Sequence, residues 1–504
     1  MPHRALRFRR HTVATAVLSA ALLAGCGTKV VNPVTGQTER TVMSEADEIA
    51  EGKKAHQQVL QEYGVYDNAA VQGLMNEIGQ RLAKQSHRAN LQWTFTVLDS
   101  PEINAFALPG GYIYVTRGIM AYMASEADLA GVVGHEIGHV TARHGAQRAT
   151  RAQNAGLGVL AATVLGAVLE SSGVGGATQA VGQLSQTAAA GYVARYSREQ
   201  ESQADALGAE YLQRNRYDPR NMVDVIRLLL NQERFAADAA RAEGRTPRSG
   251  NDWLASHPAN EQRLADIERI AAKYTGSYAD DGTQRFMKAI EGMAFGEDAD
   301  QGLTRGRNFY HAPLGIALTA PAGWKVQNSA EAVTLVNAAG DAGLVLRAVP
   351  AQAGGTHEKI LQSLKVEPPS GQRLSLGGLQ ATRFAGVVRD AQGQAKPAQG
   401  LLVTAPAGTQ LLLTTAARDA ATLQRNQTAL REAEASLRPL SDADRTAARP
   451  WTLRTVAYPR GGFAALAQGS PLGERAEAQL RLLNGFYPGG EPAAGHPVKT
   501  VVAR

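Results

Sequence analysis

Two histidines four residues apart, with a glutamate beside the first, occur at His135-Glu136-Ile137-Gly138-His139. This run restricts the fold more than any other feature of the chain. At 3.6 residues per turn, positions four apart share one helix face, so both imidazoles reach one ion only if the run is helical. Glu136 then sits on the adjoining edge, where it can hold and deprotonate a water molecule. Five matching residues also occur by chance in unrelated proteins, so the surroundings decide. Ser125, followed three residues later by Asp128, reads as a capping box that opens a helix through this run.

A catalytic zinc needs a third protein ligand and one open position. One known continuation would place a histidine at 145, and that position is Gly145. Glu201-Ser202-Gln203-Ala204-Asp205 instead offers two carboxylates four apart on one predicted helix face, with Ser197 and Gln200 as its capping box. Taken alone, Glu201 and Asp205 read as a solvated helix face. Paired with the upstream motif, Glu201 reads as the third ligand of one Zn2+ per chain. Asp205 then orients His135 or His139 through the free ring nitrogen. His144 lies five residues after His139, well round the helix, and reads as structural rather than as a ligand.

A chain of 504 residues is long for one core. Hydrophobic content of 44% with 19% charged residues is ordinary for a soluble globular protein. Residues 1–25 read as a signal peptide: Arg4, Arg7, Arg9, Arg10 and His11 precede an apolar stretch, 12–23, too short to span a bilayer. That stretch ends in Leu23-Ala24-Gly25-Cys26, which resembles the lipobox of bacterial lipoproteins. The expectation is a lipidated Cys26, a tether over 26–43 and a periplasmic protein anchored in a membrane. Gly27, in place of Asp, favours the outer membrane by the same resemblance. Cys26 is the only cysteine, so no intramolecular disulfide is possible. The formal charge is +6, but without the four leading arginines it is 48 basic against 46 acidic residues, no argument for nucleic-acid binding.

Residues 44–275 read as one mainly helical domain with a small sheet. Helical spacing runs over 44–86, β-type alternation over 93–98, then 104–108, a Pro109-Gly110-Gly111 turn and a strand at 112–116. Residues 152–190 are rich in Ala, Gly, Val and Leu and nearly uncharged, either a low-complexity loop or a lid over the cleft. Asp218-Pro219 starts a further helix to about 242. After a linker at 276–307, residues 308–445 read as an α+β domain with a mostly antiparallel sheet, and 450–504 as a last small unit. The fold class is thus α+β and multidomain.

Asn104-Ala105-Phe106-Ala107-Leu108-Pro109-Gly110-Gly111, His135-Glu136-Ile137-Gly138-His139-Val140 and Glu201-Ser202-Gln203-Ala204-Asp205, in that order, resemble the gluzincin metallopeptidases of the HtpX/BepA/CAAX-prenyl-endopeptidase family. The resemblance covers roughly residues 45–275, and the lack of membrane spans matches the family's periplasmic branch. It implies a zinc endopeptidase of misfolded or unassembled envelope proteins, with Glu136 moving the proton. It also implies that His257-Pro258 followed by Arg263 belongs to the site, with His257 as an extra, displaceable ligand or Arg263 as an oxyanion stabiliser; a turn histidine is the alternative for His257. The strand with Asn104, Ala105 and Phe106 is expected to pair with an extended substrate. The Ala320-Pro321-Ala322-Gly323-Trp324 turn weakly resembles a PsbP/Mog-like domain. Leu482-Leu483-Asn484-Gly485 and 498–502 resemble a degenerate LysM unit, which names peptidoglycan as a candidate partner beside a plain packing role. A second functional class stays open: a lipid-tethered assembly factor or chaperone with latent peptidase activity.

Overall fold

The computed structural model describes residues 28–504 apart from 152, 154–195, 243, 245–256, 258–260, 279, 330–331 and 390–392. The signal peptide, Cys26, the Ala/Gly-rich stretch at 152–190 apart from Gln153, and Pro258 lie outside the described residues. The chain divides into two compact units, Met1–Met293 with Leu453–Thr500, and Ala294–Thr452 with Val501–Arg504. The segment 450–504, a separate unit by its sequence texture, is therefore grouped mostly with the first of these. Among the described residues, no helix is long and apolar enough to cross a membrane.

In the first unit a short hairpin, β1 (Thr28–Val31) and β2 (Thr38–Thr41), leads into α1 (Glu45–Tyr63) and α2 (Ala69–Lys84). The 44–86 stretch is thus two helices, separated where Gly64 ends the first and Asn68 caps the second. Ser44 and Asp47 close a full capping box at the start of α1, so two otherwise unpaired backbone N–H groups are satisfied there. Three strands follow: β3 (Thr94–Leu98), β4 (Ala105–Leu108) and β5 (Tyr112–Thr116), in spatial order β3-β5-β4. β5 is parallel to β3 and antiparallel to β4, which leaves β4 at the edge of this sheet.

Helix α3 (Glu126–Thr141) carries the paired histidines and is buried along its whole length. Such a helix has to be apolar or polar-satisfied on every face. Ser125 caps it by accepting from Asp128 N, while the Asp128 carboxylate turns back to Ala124 N at 2.8 Å instead of closing the box on Ser125. Helix α4 (Arg198–Arg214) opens on the complete Ser197/Gln200 box and carries Glu201 and Asp205. α5 (Asn221–Ala242), α6 (Glu261–Ala271) and α7 (Thr283–Ile290) complete the helical shell.

The contact that sets the site is a seam of small residues between α3 and α4. Gly134 and Gly138 on α3 face Ala204 and Gly208 on α4. A Cβ on Gly138 would sit 3.1 Å from Ala204 O and 3.2 Å from Ala204 Cα, both backbone atoms. At Gly134 the nearest atoms would be 3.4 Å away, ordinary van der Waals contact. The two helices therefore touch backbone to backbone, close enough for short acidic side chains on one to meet the imidazoles of the other.

The returning C-terminal segment is fixed in the same unit. Lys499 is fully buried and donates to Ala121 O at 2.7 Å and to Met123 O; burial pushes its pKa down to about 7. Asn484, at the end of helix Ala476–Leu483, exchanges two hydrogen bonds with the Lys499 backbone, so the 482–485 and 498–502 runs are joined.

The second unit is built on a seven-stranded antiparallel sheet. It runs from Lys325–Asn328 through Val333–Val336, Ala342–Ala348, Gln410–Ala417, Ala395–Thr404 and Leu379–Arg389 to Gln372–Leu376. Leu344, Leu346, Leu401, Val403, Leu411 and Leu413 supply inward-facing side chains at period two, and Leu430, Ala433 and Leu437 cover them.

The seam generates a paired prediction. Gly138→Val should lower stability by about 1–3 kcal/mol through overpacking and lose bound zinc, because α4 has to move off. Gly134→Ala should be neutral or slightly stabilising, since Ala gains up to about 1 kcal/mol over Gly inside a helix. Thermal unfolding with zinc analysis checks both; equal behaviour of the two variants would remove the seam argument.

Candidate metal centre

His135 and His139 leave α3 one turn apart, and their Nε2 atoms stand 3.0 Å from each other. Glu201 reaches across the seam, with its oxygens 3.6 Å from His135 Nε2 and 3.5 Å from His139 Nε2. His257 brings Nδ1 to 3.0 Å from Glu201 Oε1 and 3.2 Å from His135 Nε2. All four side chains are buried, and their donor atoms lie within 4.8 Å of one another. Bonds of about 2.0–2.2 Å in a tetrahedron place neighbouring donors roughly 3.3 Å apart, which the distances between 3.0 and 3.6 Å match. Three imidazoles and one carboxylate are also the donor chemistry zinc prefers. The residues present fit the ion.

Glu136 is fully buried and reaches to 3.8 Å from His257 Nε2, on the far side of that ring from Glu201. It is therefore beside the donor cluster without belonging to it, the position a proton-transferring carboxylate requires.

The outer partners are resolved one by one. Asp205 Oδ1 lies 2.9 Å from His135 Nδ1, so of the two histidines open to it Asp205 orients His135. Arg263, from α6, places Nε and Nη2 on the two Asp205 oxygens at 2.6 and 2.7 Å and Nη1 on Glu201 at 2.9 Å. Resemblance offered Arg263 as an oxyanion stabiliser; its guanidinium is spent on these two carboxylates, a planar fork suited to them. Burial alone would raise the Asp205 carboxyl, but Arg263 outweighs it and holds the group well below the usual carboxylate range. For Glu201 burial likewise raises the pKa, and His257 and Arg263 together bring it down. Burial, with the neighbouring His135 and His257, pushes His139 well below the ordinary histidine value. His139 is thus held neutral and Asp205 and Glu201 ionised, the forms that bind a cation.

Three further residues, Tyr196, His144 and Gln203, complete the surroundings. Tyr196 stacks on His139 with ring centroids 4.0 Å apart and has the Arg148 guanidinium 5.0 Å from its own ring centroid. An aromatic residue directly before the Ser197 cap is the only local cue to it. His144 sits with Nδ1 at 2.9 Å from His139 Nδ1, and Gln203 Oε1 lies 2.9 Å from His144 Nε2. His144 is accordingly outside the donor set but attached to it. Beside the centre runs β4 with Ala105 and Phe106, preceded by Asn104; Phe106 stacks on Tyr114 at 4.8 Å. Between Ala107-Leu108-Pro109 and His139, Arg148 and Tyr196 lies a small cavity of about 40 Å³.

Residues 69–271 match the family model of Peptidase family M48. A beta-barrel assembly-enhancing protease from Escherichia coli (strain K12) is 30% identical over 201 residues, 39% of this chain and 38% of that protein. Its namesake from Yersinia pestis is 27% identical over 211 residues, 41% of this chain and 40% of that one. The mitochondrial metalloendopeptidase OMA1 of Arabidopsis thaliana is 29% identical over 200 residues, 40% of this chain and 36% of that one. The chain spans two fifths or less of the length of each of these relatives. The matched stretch contains all of His135, Glu136, His139, Glu201, Asp205, His257 and Arg263, and residues 69–271 are accordingly a metallopeptidase domain of family M48.

Proposed function

We propose that this protein is a zinc-dependent endopeptidase acting on misfolded or unassembled proteins of the bacterial cell envelope. The observation that carries the reading is the buried meeting of His135, His139, Glu201 and His257 with Glu136 alongside. Zinc, when bound there, polarises the scissile carbonyl and brings the pKa of a water down to about 7. Glu136 accepts the proton of the attacking water and delivers it to the leaving amine. Asp205 and Arg263 keep His135 and Glu201 in place during the reaction. The open edge of β4, with Asn104, Ala105 and Phe106, receives an extended segment by strand addition, which reads backbone more than side chains. That mode favours chains that have lost or not reached their fold.

The envelope context rests on the relatives named as beta-barrel assembly-enhancing proteases and on the lipobox-like Cys26, which would hold the enzyme at the outer membrane facing the periplasm. The order strand Trp451–Ala457, helices Gly462–Gln468 and Ala476–Leu483, strand Pro497–Ala503 supports a LysM-like unit. Peptidoglycan is the partner that unit would take.

A second reading, a tethered assembly factor with latent peptidase activity, is favoured by one observation. His257 occupies the fourth donor position, the place that water or substrate has to enter. The two readings become one if the peptidase is held latent until a substrate displaces His257.

Two experiments test this. Zinc analysis of the parent and Glu136→Gln should give about one zinc in each, with casein cleavage falling at least about 100-fold in the variant, the usual range for loss of a general base. Zinc in neither would end the metal reading. His257→Ala should keep its zinc and cleave casein several-fold faster than the parent; equal or slower cleavage would exclude His257 as a block.

A further inference from the structure

The two α3 histidines are held by chemically different partners, and this difference has consequences for the centre proposed above, on which the inference rests. His135 turns Nδ1 to the Asp205 carboxylate at 2.9 Å. His139 turns Nδ1 to another imidazole, His144, at the same distance. Both members of the second pair are buried, with His139 1% and His144 0% exposed.

The geometry of that pair fixes the protons. His139 Nε2 faces the donor cluster, 3.0 Å from His135 Nε2, so it must carry a lone pair there. The His139 proton is therefore on Nδ1, and it is donated to His144 Nδ1. An imidazole that accepts on Nδ1 while neutral carries its own proton on Nε2. That proton points at Gln203 Oε1, 2.9 Å away, an oxygen that can only accept. One donor direction runs through all three residues, His139 to His144 to Gln203, and each hydrogen bond admits only one assignment once His139 is a ligand.

The backbone is shaped to make the chain of bonds possible. α3 ends at Ala142, and Arg143 takes a left-handed φ of 59°, unusual for a residue with a side chain. This turn brings His144 back to the ring of His139, which helical continuation from five residues on would not do. The strain of that conformation is offset by the buried Arg143 guanidinium, 2.9 Å from Glu48 Oε1 and 2.9 Å from Met43 O. Gln203 comes from α4, two residues beyond the ligand Glu201. The same helix thus supplies a donor to the ion and the anchor for the opposite ligand.

We infer that His144, anchored by Gln203, is a positioning residue that fixes the tautomer and ring orientation of His139 and so sets the metal affinity of the centre. A carboxylate in its place would add a further negative charge next to the ion, beyond those of Glu201 and Asp205. A neutral acceptor orients His139 without that charge and leaves the ion more electrophilic.

The test uses the mature protein. Zinc affinity is read by chelator competition, and the visible spectrum of the cobalt-substituted form reports ligand geometry; kcat and KM are measured alongside. His144→Ala should weaken zinc binding about 10- to 100-fold, the usual cost of losing an outer partner of a ligand histidine, and shift the cobalt bands. KM should hold. His144→Asn, which restores a neutral acceptor, should recover most of the affinity, and Gln203→Ala should lose affinity in the same direction by a smaller factor. If His144→Ala does not fold, Gln203→Ala decides alone. Unchanged affinity and cobalt spectrum in His144→Ala, or a loss that His144→Asn does not repair and Gln203→Ala does not share, would overturn the inference. A parent that binds no zinc would instead overturn the peptidase reading.

Discussion

The backbone contact between α3 and α4 is the constraint on which the centre depends. Glu201 has a short side chain, and it meets His135 and His139 at 3.5–3.6 Å only because Gly134 and Gly138 let Ala204 and Gly208 come against the helix directly. Glycine inside a helix costs up to about 1 kcal/mol relative to alanine, and α3 carries Gly131, Gly134 and Gly138 within two turns. The helix is weakened locally so that the two halves of the donor set can meet. Burial of α3 on all sides and the Ser125 cap compensate, since a helix fixed by packing does not rely on its own propensity.

A buried centre with two carboxylates and three imidazoles would be unstable if each group were taken singly, because an unpaired charge in the interior costs several kcal/mol. Arg263 answers this with one side chain. Its three nitrogens cover both oxygens of Asp205 and one of Glu201, and it is itself only 7% exposed. Arginine does this where lysine could not, since only the planar fork serves two carboxylates at once. On the other side, Glu48 plays the mirror role, receiving Arg88 and Arg143 at 2.9 Å each and tying α1 to the end of α3.

What could be seen in the sequence follows from what periodicity reports. Positions four apart on one helix are local, so His135 with His139, and Glu201 with Asp205, were visible, as were the Ser125 and Ser197 caps. The strands at 94–98, 105–108 and 112–116 were visible for the same reason, by alternation between turn residues. Which histidine Asp205 serves was not, because that is decided by the rotation of α4 against α3. Nor was the target of Arg263, 58 residues from Asp205, or the bond of His144 to Gln203, 59 residues apart. The helical wheel set His144 away from His139; the left-handed Arg143 ends the wheel and returns it. The grouping of 453–500 with the first unit was equally hidden, since Lys499 meets Ala121 across 378 residues and carries no local mark of it.

The charges around the centre explain why its two α3 imidazoles are treated differently. Glu201 brings one negative charge to the ion, and Asp205 brings a second that Arg263 neutralises. With a divalent cation the charges of Glu201, Asp205 and Arg263 would sum to one positive unit, which the Glu136 carboxylate alongside would balance. A carboxylate on His139 as well would add a further negative charge, which binds the metal more tightly while weakening it as a Lewis acid. An imidazole backed by an amide gives orientation without charge. Stability of the metal site and strength of the Lewis acid pull in opposite directions here. The pairing of one charged and one neutral outer partner is the arrangement that keeps both.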